Sequence, residues 1–115
     1  MVDANEKLVV IWSSADRGVA KEMTFLYAFN SKKKGWWKDV TLVIWGPSGN
    51  LLSQDFELQE YITRIKELGI KLEACKKCSD NYGISKKLEE LGVDVKYMGE
   101  PLTEYLKEGR KVITF

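Results

Sequence analysis

The sequence predicts an α/β protein, a three-layer α/β/α sandwich around a five-stranded, mainly parallel sheet. Three observations predict it. Two short runs, LVVIW (Leu8 to Trp12) and VTLVIW (Val40 to Trp45), are almost continuously β-branched or aromatic, as strands covered on both faces are. Apolar residues at helical spacing separate these runs from each other and from three further strand-like segments. Three junctions, ELGIKL, ELGVDV and KEGRKVI, repeat one device, in which a glycine (Gly69, Gly92, Gly109) ends a helix and hands over to a strand. Alternating elements of this kind, joined by right-handed crossovers, stack into three layers.

The elements follow in order. After the first strand, Val19, Met23, Leu26 and Tyr27 share one helical stripe, which is expected to face the sheet. Phe25, Ala28 and Phe29 lie outside that stripe and are expected to meet another subunit. Lys32, Lys33 and Lys34 read as a solvated loop, and Trp36 and Trp37 as core or subunit contact. The second strand follows, then a helix with Leu58, Ile62 and Ile65 on one face. In IKLEAC, Ile70, Leu72 and Ala74 alternate with Lys71, Glu73 and Cys75; in VDVKY, Val93, Val95 and Tyr97 alternate with Asp94 and Lys96. Both alternations suit half-exposed strands nearer a sheet edge. A short helix from Ser85 to Leu91 lies between them. A last helix starts at Pro101 and leads to the closing strand KVITF.

Composition excludes several functions. A chain of 115 residues, 44% hydrophobic and 30% charged, fits one domain with a core. Eighteen basic against seventeen acidic residues leave a net charge of +1, which is no footprint for nucleic acid or an anionic membrane. No apolar run reaches the length of a membrane span, and the first is too short for a signal-peptide core. Two cysteines do not make a disulfide scaffold, so a reducing cytoplasm is expected. The absence of histidine removes imidazole catalysis and imidazole metal ligands. Two sulfurs alone fall short of a four-ligand zinc site, and no cofactor or metal is expected.

In parallel α/β sheets, ligands and chemistry gather at the carboxyl ends of the strands. Those ends are SSADRG, GPSGN, CKKCSDN and MGEP. Cys75 closes the third strand and Cys78 follows within one helical turn. A cysteine at a strand end is commonly packing. Here a helix start and the neighbouring Lys76 and Lys77 are expected to lower its pKa and stabilise a thiolate. The spacing also fits a thioredoxin-type dithiol. Ser13, Ser14 and Asp16 are expected to cap the first helix, with a secondary claim as binding groups because they border the same edge. Gly46 and Ser48, in GPSGN, could cradle an anion, although a tight turn is the plainer reading.

The segments VIWSSAD, LVIWGPS, EACKKCSDNYGI, LGVDVKYMG and the terminal VITF resemble, in order and spacing, the DsrE/DsrF-like family of small proteins. The resemblance runs from Lys7 to Phe115 and implies one such domain over residues 1–115. It implies a parallel sheet in the order 4-3-2-1-5 and a homo-oligomer, trimer or hexamer. It also implies, for several members, a sulfur relay in which a cysteine after the third strand carries a persulfide. Cys75 matches that position; Cys78 lies outside the relay pattern. The expected function is therefore a sulfur carrier, more than a turnover enzyme, that works between donor and acceptor proteins. Two other classes stay open: an oligomeric module binding a small anion or nucleotide, and a dithiol redox protein.

Overall fold

β1 (Lys7–Trp12) and β2 (Asp39–Ile44) form on the two long runs of apolar, largely β-branched residues. Val9, Val10, Trp12, Val40, Leu42 and Val43 are fully buried, so both faces of this pair are covered. The structure, a computed structural model, describes residues 2–115. β3 (Lys71–Cys75), β4 (Asp94–Lys96) and β5 (Lys111–Thr114) complete a sheet in the order β4-β3-β2-β1-β5, with every neighbouring pair parallel. All carboxyl ends therefore lie on one edge, and the expected sheet and strand order are both found. Among the described residues no helix is long and apolar enough to cross a membrane.

Among the described residues, six helices pack against the sheet. A helical turn at Arg17–Val19, a π-helical stretch at Ala20–Thr24 and an α-helix at Phe25–Lys33 run together as α1. The rest are α2 (Pro47–Gln54), α3 (Phe56–Glu67), α4 (Lys76–Tyr82), α5 (Ser85–Glu90) and α6 (Gly99–Glu108). One face of the sheet carries the main core. There Leu8, Val10 and Trp12 of β1 meet Phe25 of α1, Leu52 of α2, Leu58 and Ile62 of α3, and Leu88 of α5. The other face carries a smaller cluster of Val9, Val43, Cys75 and Met98, covered by Tyr105 of α6. The third layer is thus one helix thick. Gly109 ends α6 at φ 89°, a left-handed conformation that glycine adopts without a Cβ clash, and turns the chain into β5.

Two expectations are corrected. GPSGN is no simple turn: Gly46, at φ 73°, turns the chain and Pro47 opens α2. The pre-set φ of proline favours the first helical position, where its missing N–H costs nothing. The stripe on α1 is also inverted. Ala20, Thr24, Phe25, Ala28 and Ser31 face the core, whereas Met23 and Leu26 are about half exposed. Phe25 and Trp12 meet edge to face with centroids 4.8 Å apart, and Phe25 also meets Tyr61 at 5.2 Å. These large rings fill the space beneath the helix, so the remaining inward positions take small side chains. Helical spacing finds an apolar face but cannot rank two of them by fit. Lys32 and Lys33 belong to the last turn of α1. Trp36 is exposed, and Trp37 donates its indole N–H to Tyr27 Oη at 3.1 Å.

This placement gives a test. Ala28→Leu, inserted against the sheet, should lower stability by about 1–3 kcal/mol in urea unfolding. An outward Ala28 would accept leucine with little change.

Candidate functional site

The site is built on the joint between β3 and α4. Cys75 ends the strand in an extended conformation and serves as N-cap of α4. The first N–H groups of any helix lack partners within it. Here a sulfur takes the place of the usual oxygen: Cys75 Sγ accepts the backbone N–H of Cys78 at 3.4 Å. The Cys78 thiol donates to the same atom, with the two sulfurs 2.9 Å apart. Both thiols are free; Cys75 is buried and Cys78 half-buried. Val9, Val43 and Met98 share their cluster with Cys75, and Ile11, Trp45 and Cys78 pack against it.

The expected electrostatics of Cys75 are overturned. Burial pushes its thiol above the ordinary value, and the neighbouring Cys78 thiol adds to this. The backbone N–H groups of Cys78 and Lys77 pull the other way and lose. Removing a thiolate from water is the larger effect because the wall around it is apolar. The lysines do not compensate. Lys76 Nζ lies 3.1 Å from Asp80 Oδ2 and 5.9 Å from the centre of the Tyr97 ring. The Lys77 side chain is exposed. A helix sends consecutive side chains in different directions, so adjacency in sequence put neither charge over the sulfur.

The other expected residues knit the sheet edge together. The N–H and Oγ of Ser13 donate to the Phe115 carbonyl at 2.8 and 3.0 Å. Ser14 Oγ accepts the Asp16 N–H at 3.0 Å. Asp16 caps α1 by accepting the Val19 N–H at 3.0 Å. Gly46 shapes the entrance to α2, and the fully buried Ser48 donates to the carbonyls of Trp12 and Trp45. Among the described residues, none of these polar side chains hydrogen-bonds to either sulfur.

A second group was not foreseen. Glu73 is buried on the Cys75 face of β3 and accepts the Tyr105 hydroxyl, at 2.8 and 3.0 Å to its two oxygens. Lys96 Nζ lies 2.8 Å from Glu73 and 3.1 Å from Asp94. Hydrogen bonding to Glu73 holds the Lys96 ammonium well above its ordinary value. Burial, then Glu73, pushes the Tyr105 phenol up to about 12. The signal available in the sequence was the alternation that puts Glu73 on one face with Cys75. Alternation by itself suits a half-exposed strand, and the covering α6 removes that exposure.

A parallel five-stranded α/β sheet in the order β4-β3-β2-β1-β5 defines the fold class. The chain belongs to the DsrE/DsrF-like family, whose model matches residues 6–115. It is similar to a conserved protein of unknown function from Bacteroides thetaiotaomicron, with 39% identity, a TM-score of 0.95, and 100% of this chain and 99% of that one covered. It shares its fold with the YchN protein of E. coli, at 19% identity and a TM-score of 0.75, covering 95% and 98% of the two chains. No curated protein sequence matches the chain.

The burial of Cys75 has a consequence for stability. Its folded-state pKa is raised, so the folded protein retains a proton that the unfolded chain gives up. The stabilisation is present below the ordinary thiol value of 9.0 and is lost as pH rises through the folded value. Urea midpoints should fall as pH rises from 9.0 through the folded value, and Cys75→Ser should flatten the fall. An unchanged alkaline dependence in the variant would assign the effect elsewhere.

Proposed function

We propose that the protein is a sulfane-sulfur carrier working through Cys75. The observation that supports this most is a buried thiol at the carboxyl edge of the sheet, which accepts the Cys78 backbone N–H at the start of α4 and has a second sulfur 2.9 Å away. The Cys75 thiolate attacks the outer sulfur of a donor persulfide. A new Sγ–S bond forms, the donor S–S bond breaks, and the donor leaves as a thiolate that takes up a proton. An acceptor thiolate then attacks the outer sulfur of Cys75–SSH and regenerates Cys75. Neither step changes the overall oxidation level. A raised pKa reduces the thiolate fraction but makes each thiolate a stronger nucleophile. The apolar wall around Cys75 shields the bound sulfur from water. The donor is a protein presenting a persulfide and the acceptor one presenting a thiol, and two free cysteines suit a reducing, cytoplasmic setting.

The short sulfur–sulfur distance also favours a second reading, a dithiol redox protein. In the carrier it has a definite effect. Cys78 can attack the inner sulfur of Cys75–SSH, expel hydrosulfide and leave a Cys75–Cys78 disulfide, which an external dithiol must reduce before reloading. Intact-mass measurement after exposure to a persulfide donor separates the readings. The parent should gain one sulfur and then lose it, Cys75→Ser should gain none, and Cys78→Ser should hold it longer. Loss of two hydrogens with no sulfur gained at any time supports the redox protein instead. If neither change occurs, the anion- or nucleotide-binding module becomes the better reading.

We also propose assembly with copies of the same chain, as a trimer or hexamer. Met23, Leu26, Tyr27, Trp36, Ile113 and Phe115 line an apolar groove of about 390 Å³ on the outer side of α1. Exposed apolar surface of this kind commonly marks an interaction site. Light scattering should give a multiple of the monomer mass at micromolar concentration, and Leu26→Glu should reduce it to one. A monomeric parent would sink this assignment.

A further inference from the structure

The sulfur chemistry makes no use of Glu73, yet this residue is only 5% exposed, on the face of β3 that carries Cys75. A buried carboxylate survives only with charged or hydrogen-bonding partners. Glu73 has Tyr105 and Lys96. The register shows what that pairing does to Lys96. In β4, Lys96 is the residue directly beside Cys75, and Asp94 is the one beside Glu73. Neighbouring strands lie about 4.8 Å apart. The Lys96 side chain therefore begins next to the thiol. Its ammonium is drawn back along the sheet, to 2.8 Å from Glu73 and 3.1 Å from Asp94.

The other groups around Cys75 offer no substitute charge. From α4 come the Cys78 thiol, Lys76 turned to Asp80, and the exposed Lys77. From α6 comes the neutral Tyr105 hydroxyl, spent on Glu73. Arg110 stacks on the Tyr105 ring at 4.2 Å and pairs with Glu108. From β2 comes the apolar Val43, and from the residue that follows the strand comes Trp45.

We propose that Glu73 is a positioning residue: by holding the Lys96 ammonium it withholds that charge from Cys75 and keeps the sulfur as a resting thiol. Cys75 gains nucleophilicity when Lys96 leaves the carboxylates and turns to it. A cation brought within about 4–6 Å of an acid typically lowers its pKa by about 1–3 units, enough to change the thiolate fraction at neutral pH roughly tenfold or more. Half-exposed Lys96 and exposed Asp94 leave this exchange open to solvent.

Alkylation of Cys75 by iodoacetamide as a function of pH tests this in the Cys78→Ser background, where one thiol is counted. Glu73→Gln keeps an acceptor for Tyr105 and removes the hold on Lys96. The alkylation midpoint should fall by about one unit, with a rate at neutral pH roughly tenfold higher. Adding Lys96→Met should abolish that gain relative to Lys96→Met alone. No gain in Glu73→Gln overturns the proposal. An equal gain with and without Lys96 also overturns it, because the carboxylate would then act directly on the thiol. Should Glu73→Gln fail to fold, Glu73→Met, which fills the same buried space without charge, makes the same comparison with and without Lys96, and absence of a Lys96-dependent gain there counts equally against the proposal. The inference concerns the same thiol as the carrier reading. Alkylation reports on that thiol whether or not it accepts sulfur, so the two fail separately.

Discussion

The parallel pairing of β1 with β2, in unbroken register from Lys7–Asp39 to Trp12–Ile44, is the constraint on which the other elements depend. Both strands are buried on both faces, so their backbone polar groups have nowhere to go but the ladder. Once the ladder is set, the carboxyl ends of both strands lie on one edge. Ser48 then ties that edge: from the start of α2 its hydroxyl donates to the last carbonyl of β1. The Trp45 N–H donates to the same carbonyl at 3.0 Å. β3 extends the sheet from β2 in parallel, and Cys75 arrives at the same edge as a consequence.

At that edge two physical tendencies compete over one sulfur. Helix N–H groups favour a thiolate, while burial among Val9, Val43 and Met98 favours a thiol. Burial wins because the wall around the sulfur is apolar and the Lys76 ammonium is turned to Asp80. The third layer, a single helix, contributes to both sides of this balance. Through Tyr105 it closes over Glu73 and so helps hold a carboxylate and an ammonium where apolar side chains would otherwise lie. One face of the sheet is thus ordinary core. The other contains charge, and that charge sits beside the Cys75 sulfur.

The groove on the outside of α1 belongs to a different part of the molecule from the cysteines. It follows from the crowding beneath that helix. Trp12, Phe25 and Tyr61 occupy the space over β1, so Met23 and Leu26 are left outside with Trp36. An apolar helix packed on a sheet already filled by aromatic rings must expose its surplus.

The alternation of elements, the five strands and the position of Cys75 at a strand end were all legible in the residues. These depend on period and on local punctuation, which neighbouring residues carry among themselves. Strand order rested on the family resemblance. Three features could not be read from local pattern. Which apolar face of α1 turned inward depended on the size of rings contributed by β1 and α3. That GPSGN opened a helix depended on Ser48 finding the end of β1, 36 residues earlier. Whether Cys75 met lysine charge or an apolar wall depended on side-chain direction at α4 and on Met98 arriving from beyond β4. Each is a matter of fit or charge between segments far apart in the chain, and no window of neighbouring residues contains both halves of such a contact.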